Sequence, residues 1–300
     1  MDLTALAPFW IVFSLLSAFF HASRIAVTKH LSLSFSARAL TLYVNLASLV
    51  VTAPLIVWHH DFPFHDPVYT LVVVLGGVVS GVGGWALNTA IHRSDVSLVG
   101  PVMTLTPGFV VVIEWFVIGD LPGPLGLLGL ALLVAGGYAL SIEQEQVGLL
   151  APLRRLVVDP GSVFTLVAAF CFAAASTLGR VGIQMSDPLS FAVVVAIVNP
   201  VVLFVMFSVQ DHRFYREAFP EHLREEVRPL LLLGLLFALM RIADQIALSL
   251  TLASYAMAVK RTAGVFSVLL GHWYYGERHL APRLFGSGLM LIGLFVLTRS

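Results

Sequence analysis

The sequence predicts an all-α integral membrane protein, with ten transmembrane helices arranged as two inverted five-helix repeats. Three observations predict it. The 300-residue chain is 58% hydrophobic and 11% charged, whereas a soluble domain carries about 25% charged residues. Its apolar residues fall into ten segments long enough for helical spans, divided by Pro, Gly and short polar breaks. Its two halves also match each other in constant register.

The segments run Ala7–Lys29, Ala37–Trp58, Val68–Ile91, Val96–Ile118 and Pro124–Ile142 in the first half. The second half holds Ser162–Ile183, Pro188–Val209, Pro229–Leu250, Ala253–Tyr275 and Pro282–Leu297. In lipid every backbone polar group must be satisfied within its own segment, so these are helices; strands would need a closed barrel and alternating residues. Pro67, Pro124, Pro188, Pro229 and Pro282 stand at segment starts, where a missing N–H costs nothing. The opening MDLTALAPFW carries an acid and no basic stretch, so the first segment is expected to stay as a span rather than be removed as a signal peptide. The one long polar connection, Gln210–Pro229, mixes acids and arginines with Phe and Leu and reads as a short surface helix.

Gly77–Tyr138 superposes on Gly234–Phe295 without a gap. Asn88 falls on Gln245, Ser97 on Ser254, Phe109 on Phe266, Gly119-Asp120 on Gly276-Glu277, Gly129 on Gly286 and Gly136 on Gly293. At a slightly shorter offset, Ala18-Phe19 falls on Ala169-Phe170 and Lys29 on Arg180. Each half holds five spans, an odd number, so the second enters the membrane upside down. The expected division is residues 1–145, a linker at 146–160 carrying Arg154 and Arg155, and residues 161–300.

The segments TLTPGFVVVIEWFVIGD, KRTAGVFSVLLGHWYYGE and LLAPLRRLVVDPG, set in two five-helix halves, resemble the EamA-like branch of the drug/metabolite transporter superfamily. The resemblance implies a transporter with a central cavity lined by helices 1, 3, 4, 6, 8 and 9, and a fifth and tenth helix packing at the periphery. Asp120 departs from the acid more common in that family, Glu, while keeping the charge. Cargoes of such proteins range from amino acids to nucleotide sugars, so the resemblance leaves the solute open.

The charges inside the apolar segments point to the site. Lys260 and Arg261 stand side by side within the ninth segment. A charge at bilayer depth is costly unless paired, hydrated or used. Arg241 lies near the middle of the eighth segment and Asp244 one turn further on, so the two share a helix face. Lys260 returns to a similar depth, and Asp244 is expected to pair with either Arg241 or Lys260. Either way three cations in this half oppose one anion, with Glu114 of the fourth segment expected to join them. The structural alternative is a set of pairs that only fix helix positions, with surplus cations reaching for headgroups. The functional reading places the surplus charge on a wet cavity, against an anionic group of the substrate. Asp244 or Glu114 would then be the group that couples transport to protons.

His21, with Arg24 three residues on, is a candidate lining residue from the first segment. Asn88 and Gln245 are repeat mates that suit interhelical hydrogen bonds or ligand contact. Trp85 and Tyr255 are candidates for stacking a planar solute, against the commoner roles of packing and interface anchoring. The glycines of Gly76–Gly84 suit close helix approach and bending, not a phosphate loop, since no lysine follows them.

The function expected is a secondary transporter of a small organic solute bearing an anionic or carboxylate group, alternating access about a central cavity. The alternative is a membrane scaffold or accessory subunit. Enzyme signatures such as H-E-x-x-H and G-x-S-x-G are absent from the sequence. No cofactor is expected, and the histidines of His59–Pro67 lack metal-site spacing. Cys171 is the only cysteine, so no internal disulfide forms. Partners are a small-molecule substrate and the lipid bilayer of a plasma or inner membrane, with a homodimer left open; a net charge of zero argues against nucleic acid. Arginines concentrate in the odd-numbered connections, which by the positive-inside rule puts both termini outside, while the resemblance puts them in the cytoplasm. The charge count is preferred, with the long connection discounted.

Overall fold

A computed structural model describes residues 9–58, 62–93, 102–141, 160–212, 225–266 and 281–299, together with Val99, Phe214 and Leu223. Among these lie the helices α1 (Trp10–Leu31), α2 (Ala37–Thr52, continued as a 3₁₀ turn at Ala53–Val57), α3 (Pro67–Arg93), α4 (Thr106–Val117) and α5 (Pro124–Ser141). They continue with α6 (Pro160–Met185), α7 (Pro188–Gln210), α8 (Val227–Leu250), α9 (Ala253–Lys260) and α10 (Ala281–Leu297). Among the described residues five helical stretches are long and apolar enough to cross a bilayer: Ala37–Val57, Pro67–Ile91, Gly161–Met185, Pro188–Gln210 and Val227–Leu250. Large apolar side chains such as Leu71, Val201, Val205 and Phe295 lie exposed along the helices, as lipid contact requires.

Local chemistry sets the helix starts. Pro67, Pro124, Pro160 and Pro188 each occupy a first position. Ser36 Oγ accepts from Ala39 N at 3.2 Å, and Asp187 Oδ1 accepts from Leu189 N and Ser190 N at 2.9 and 3.1 Å. Pro229 and Pro282 lie just inside their helices rather than at the first residue, which still falls within the turn whose N–H groups lack intrahelical partners. At the end of α4, Gly119 takes φ +86°, and its N–H bonds back to the Glu114 and Trp115 carbonyls.

The helices pack in pairs that exchange under the internal duplication. α1 packs on α8 as α6 packs on α3, and α4 meets α6 as α9 meets α1. α5 and α10 pack on each other through their glycines. A Cβ on Gly136 would fall 2.7 Å from the Gly286 carbonyl oxygen, and one on Gly293 would fall 2.8 Å from that of Gly129. These are the residues aligned in sequence, and each contacts the other's mate, the signature of a two-fold relation.

The fourth and ninth segments, read as continuous from sequence, are each broken. Helical turns at Val102–Met103 and Val259–Lys260 give way to turns at Thr104–Leu105 and Arg261–Thr262 before helix resumes. Leu105 N bonds to the Val102 carbonyl at 3.1 Å and Thr262 N to that of Val259 at 2.9 Å, in matching register. Pro107 and its mate Gly264 follow the breaks directly; neither favours helix interior geometry. Half of the Gln210–Pro229 connection, the 146–160 linker apart from Pro160, His59–Asp61 and Gly276-Glu277 lie outside the described residues.

Candidate functional site

Two charged clusters stand apart in the helix bundle, one near an end and one at its centre. At one end Glu114, fully buried, receives Arg180 Nη1 at 2.5 Å and the first backbone amides of α9, Ala253 N at 2.8 Å and Ser254 N at 3.1 Å. Arg180 also donates to Asp120 Oδ2 at 2.8 Å. A carboxylate at a helix N-terminus satisfies orphan amides and complements the helix dipole. The ends of α4 and α6 and the start of α9 are thereby tied together. Glu114, expected beside Lys260, instead lies at the opposite end of α9, about 10 Å away along the axis at ~1.5 Å per residue.

The second cluster lines a central cavity of about 160 Å³. All the segments that the resemblance implied contribute, the fourth through Met103, just before the break that precedes α4, and α2 and α7 add to the wall. α2 enters because the cavity reaches the end where α1 turns into α2, where Thr28, Thr41 and Val44 line it, and α7 lines it through Phe191, Val195, Asn199 and Leu203. At the same end Ser34 bonds to Glu226 at 3.0 Å and Arg38 pairs with Asp211 at 3.4 Å, joining the α1–α2 turn to α8 and α7.

Of the two pairings open to Asp244, the structure makes the one between helices: Lys260 Nζ meets Asp244 Oδ2 at 2.5 Å. Ser17 Oγ donates to the other carboxylate oxygen at 2.5 Å. Each Asp244 carboxylate oxygen thus has one donor, and Lys260, 7% exposed, is neutralised by it.

Three guanidinium groups remain in the cavity: Arg24, Arg241 and Arg261. None has a carboxylate within ion-pair distance among the described residues. Neutral groups hold them. Arg24 and Arg241 both lie against Phe237, at 5.1 and 5.0 Å from the ring centroid. With the Asn199 amide oxygen turned towards it, Arg241 donates to that oxygen at 2.6 and 3.2 Å. Arg261 reaches the Met103 carbonyl at 3.4 Å. The Nε atoms of Arg24 and Arg261, His21 Nδ1 and Gln245 Oε1 are buried without a hydrogen-bond partner among the described residues, where a polar group ordinarily finds one. These groups are oriented, charged or polar, and left with capacity to bind.

Of the residues singled out from sequence, His21, Asn88, Arg241, Asp244, Gln245, Lys260 and Arg261 line this cavity together. Asn88 is partly engaged, donating to Thr41 Oγ1 at 2.6 Å. Trp85 and Tyr255 are not among the lining residues. The Trp85 ring packs edge-on against Phe164 at 5.6 Å, and Tyr255 packs towards Trp10 and against Gly126 of α5. Sequence reasoning missed Asn199, Phe237 and Ser17 as partners of the charges. It also missed Arg180 as the partner of Glu114. An Asn beside Pro200 inside the seventh segment was the one available signal.

A solved structure described only as "Crystal structure of protein" superposes on the chain with a TM-score of 0.74 at 16% identity, covering 98% of this chain and 97% of that one, and shows the fold to be shared. No curated protein matches. The EamA-like transporter family matches twice, over residues 8–142 and again over 159–299, one match for each half of the duplication. The chain belongs to the EamA-like transporter family, multi-pass membrane proteins that carry small solutes.

Proposed function

We propose that the protein is a secondary transporter that alternates access about the central cavity and carries a small organic solute bearing an anionic group. In this reading all ten helical segments span the bilayer, and residues 1–145 and 161–300 form two inverted five-helix repeats joined by the linker. The carrying observation is the charge imbalance. Asp244 is bonded by Lys260 and Ser17, and among the described residues the three guanidiniums that face the cavity have only neutral groups in hydrogen-bond or ring contact, so four cations share the field of one carboxylate. Buried cations that lack counter-charges are costly, and an anionic ligand relieves that cost. A scaffold would gain from neutralising them internally. Proton coupling is assigned to Asp244, the carboxylate on the cavity, whereas the three donors on Glu114 support a structural part for it.

The test is uptake into proteoliposomes from a labelled pool of organic acids, amines and neutral solutes. Acids are expected to enter, and Arg241→Gln and Arg261→Gln are each expected to lower the rate at least about tenfold, the scale of losing one charge-assisted contact. Uptake restricted to amines or neutral solutes, or unchanged in both variants, overturns the reading.

A further inference from the structure

The duplication gives each charged cavity residue a mate, and the mates of all but Arg261, which falls on Thr104, line the cavity as well. Arg24 of α1 falls on Ala175 of α6 at the offset that aligns Lys29 with Arg180. On α8, Arg241 falls on Gly84 of α3 and Asp244 on Leu87. Lys260 falls on Met103. All four of these mates line the same cavity as the charges. His21 is answered in the same way by Phe172, also a lining residue.

Because α1 packs on α8 and α6 on α3, the two walls are helix pairs related by the internal two-fold. They are equivalent in backbone and opposite in chemistry. The α1/α8 wall carries Arg24, Arg241 and Asp244 around Phe237. The α3/α6 wall carries no charge among its lining residues. Its polar groups are Ser80, Ser176 and Asn88; the Ser176 hydroxyl donates to the Phe172 carbonyl at 2.8 Å and the Asn88 amide gives one N–H to Thr41 at 2.6 Å. Glycine deepens this wall. A Cβ on Gly76 would meet only Leu178, at 3.9 Å, so no packing forbids a side chain there, and leaving it out keeps the space open.

We infer that the solute is an amphiphilic anion, with an acidic head held by the α1/α8 guanidiniums and an apolar body laid against the α3/α6 wall. A head without a body leaves apolar wall facing water, and a body without a charge leaves the guanidiniums uncompensated. Ligand pockets combine a few placed polar groups with a larger apolar surface, and here the two kinds of surface sit on opposite walls.

This inference rests on the anion reading above, and its test separates the two. Thermal unfolding of the purified full chain is followed against succinate, phenylsuccinate and phenylsuccinamide, which share a frame and differ in body or charge. Phenylsuccinate is expected to bind at least about tenfold more tightly than succinate, from burial of its ring, and phenylsuccinamide is expected to give no shift. Succinate binding as tightly as phenylsuccinate overturns the amphiphile while leaving an anion carrier standing. Phenylsuccinamide matching phenylsuccinate overturns the anion reading itself, and the amphiphile with it. No shift from any of the three also overturns the amphiphile. Gly76→Leu, which fills the apolar wall without touching a charge, is expected to keep the succinate response and lose the advantage of the ring; an advantage that survives it places the body elsewhere and refutes the assignment.

Discussion

The two charged clusters differ in how their accounts of charge close. At the Glu114 end, one arginine faces two carboxylates, and the buried acid accepts three hydrogen bonds, two of them from the backbone. In the central cavity four cations, Arg24, Arg241, Lys260 and Arg261, share one carboxylate. The first arrangement satisfies its members and joins helices from both halves. The second fixes the directions of its cations with a ring, an amide and a carbonyl, none of which cancels charge. Satisfaction marks a structural cluster, and an oriented deficit marks a binding one. Substitutions should therefore act on stability in the first and on ligand handling in the second.

The sharpest separation is Glu114→Gln. It removes the buried partner of Arg180, leaving only the half-exposed Asp120, and weakens the cap of α9; breaking a buried pair from one side costs about 3–5 kcal/mol. The expected outcome is a large fall in the midpoint of thermal unfolding in detergent, measured without any solute. An unchanged midpoint would erase the contrast between the clusters.

The Lys260–Asp244 pair tests the cavity from within. Asp244→Asn raises the number of uncompensated cations from three to four. Lys260→Met lowers it to two, since Asp244 is then free for Arg241 on the same face of α8. Asp244→Asn is expected to be the more destabilising change. A double-mutant cycle should return a coupling of about 0.5–3 kcal/mol between the two residues. Equal losses from both single changes would mean that the surplus does not set the energetics.

Much of this was legible in the sequence. Composition and segment length gave the helical membrane class, and the glycines Gly129, Gly286, Gly136 and Gly293, read from sequence only as marks of the duplication, meet in the α5–α10 seam. Lys260, Arg261, Arg241 and Asp244 were readable because charge in an apolar segment is conspicuous. What stayed hidden has a common cause. Glu114 and Arg180 are 66 residues apart, and Asp244 meets Ser17 across 227, distances over which no helical period carries information. The side that an aromatic residue presents was equally hidden: Trp85 and Tyr255 turn to neighbouring helices, and Phe237, which does meet the charges, has nothing in its sequence context to distinguish it from other apolar residues of the eighth segment. The breaks after Met103 and Lys260 went unread, although Pro107 in the first half and the Lys260-Arg261-Thr262 run in the second interrupt the apolar pattern beside them.

Two smaller effects complete the contrast, and they differ in sign. Arg241→Gln removes a surplus cation whose direct contacts among the described residues are neutral, so in the solute-free protein it should be neutral or stabilising by about 1 kcal/mol, even while it impairs transport. Asp120→Asn removes the outer partner of Arg180, a carboxylate whose side chain is 42% exposed. Water competes for that interaction, so the loss should stay within about 0–1 kcal/mol. Both are measured as shifts in the unfolding midpoint, with salt added in a second series. Screening should shrink the Asp120→Asn effect, because that pair reaches solvent, and should leave the Glu114→Gln effect nearly intact. A salt-insensitive Asp120→Asn change as large as that of Glu114→Gln would make the outer acid an equal member of the buried lock, and the line drawn between exposed and buried halves of that cluster would have to move.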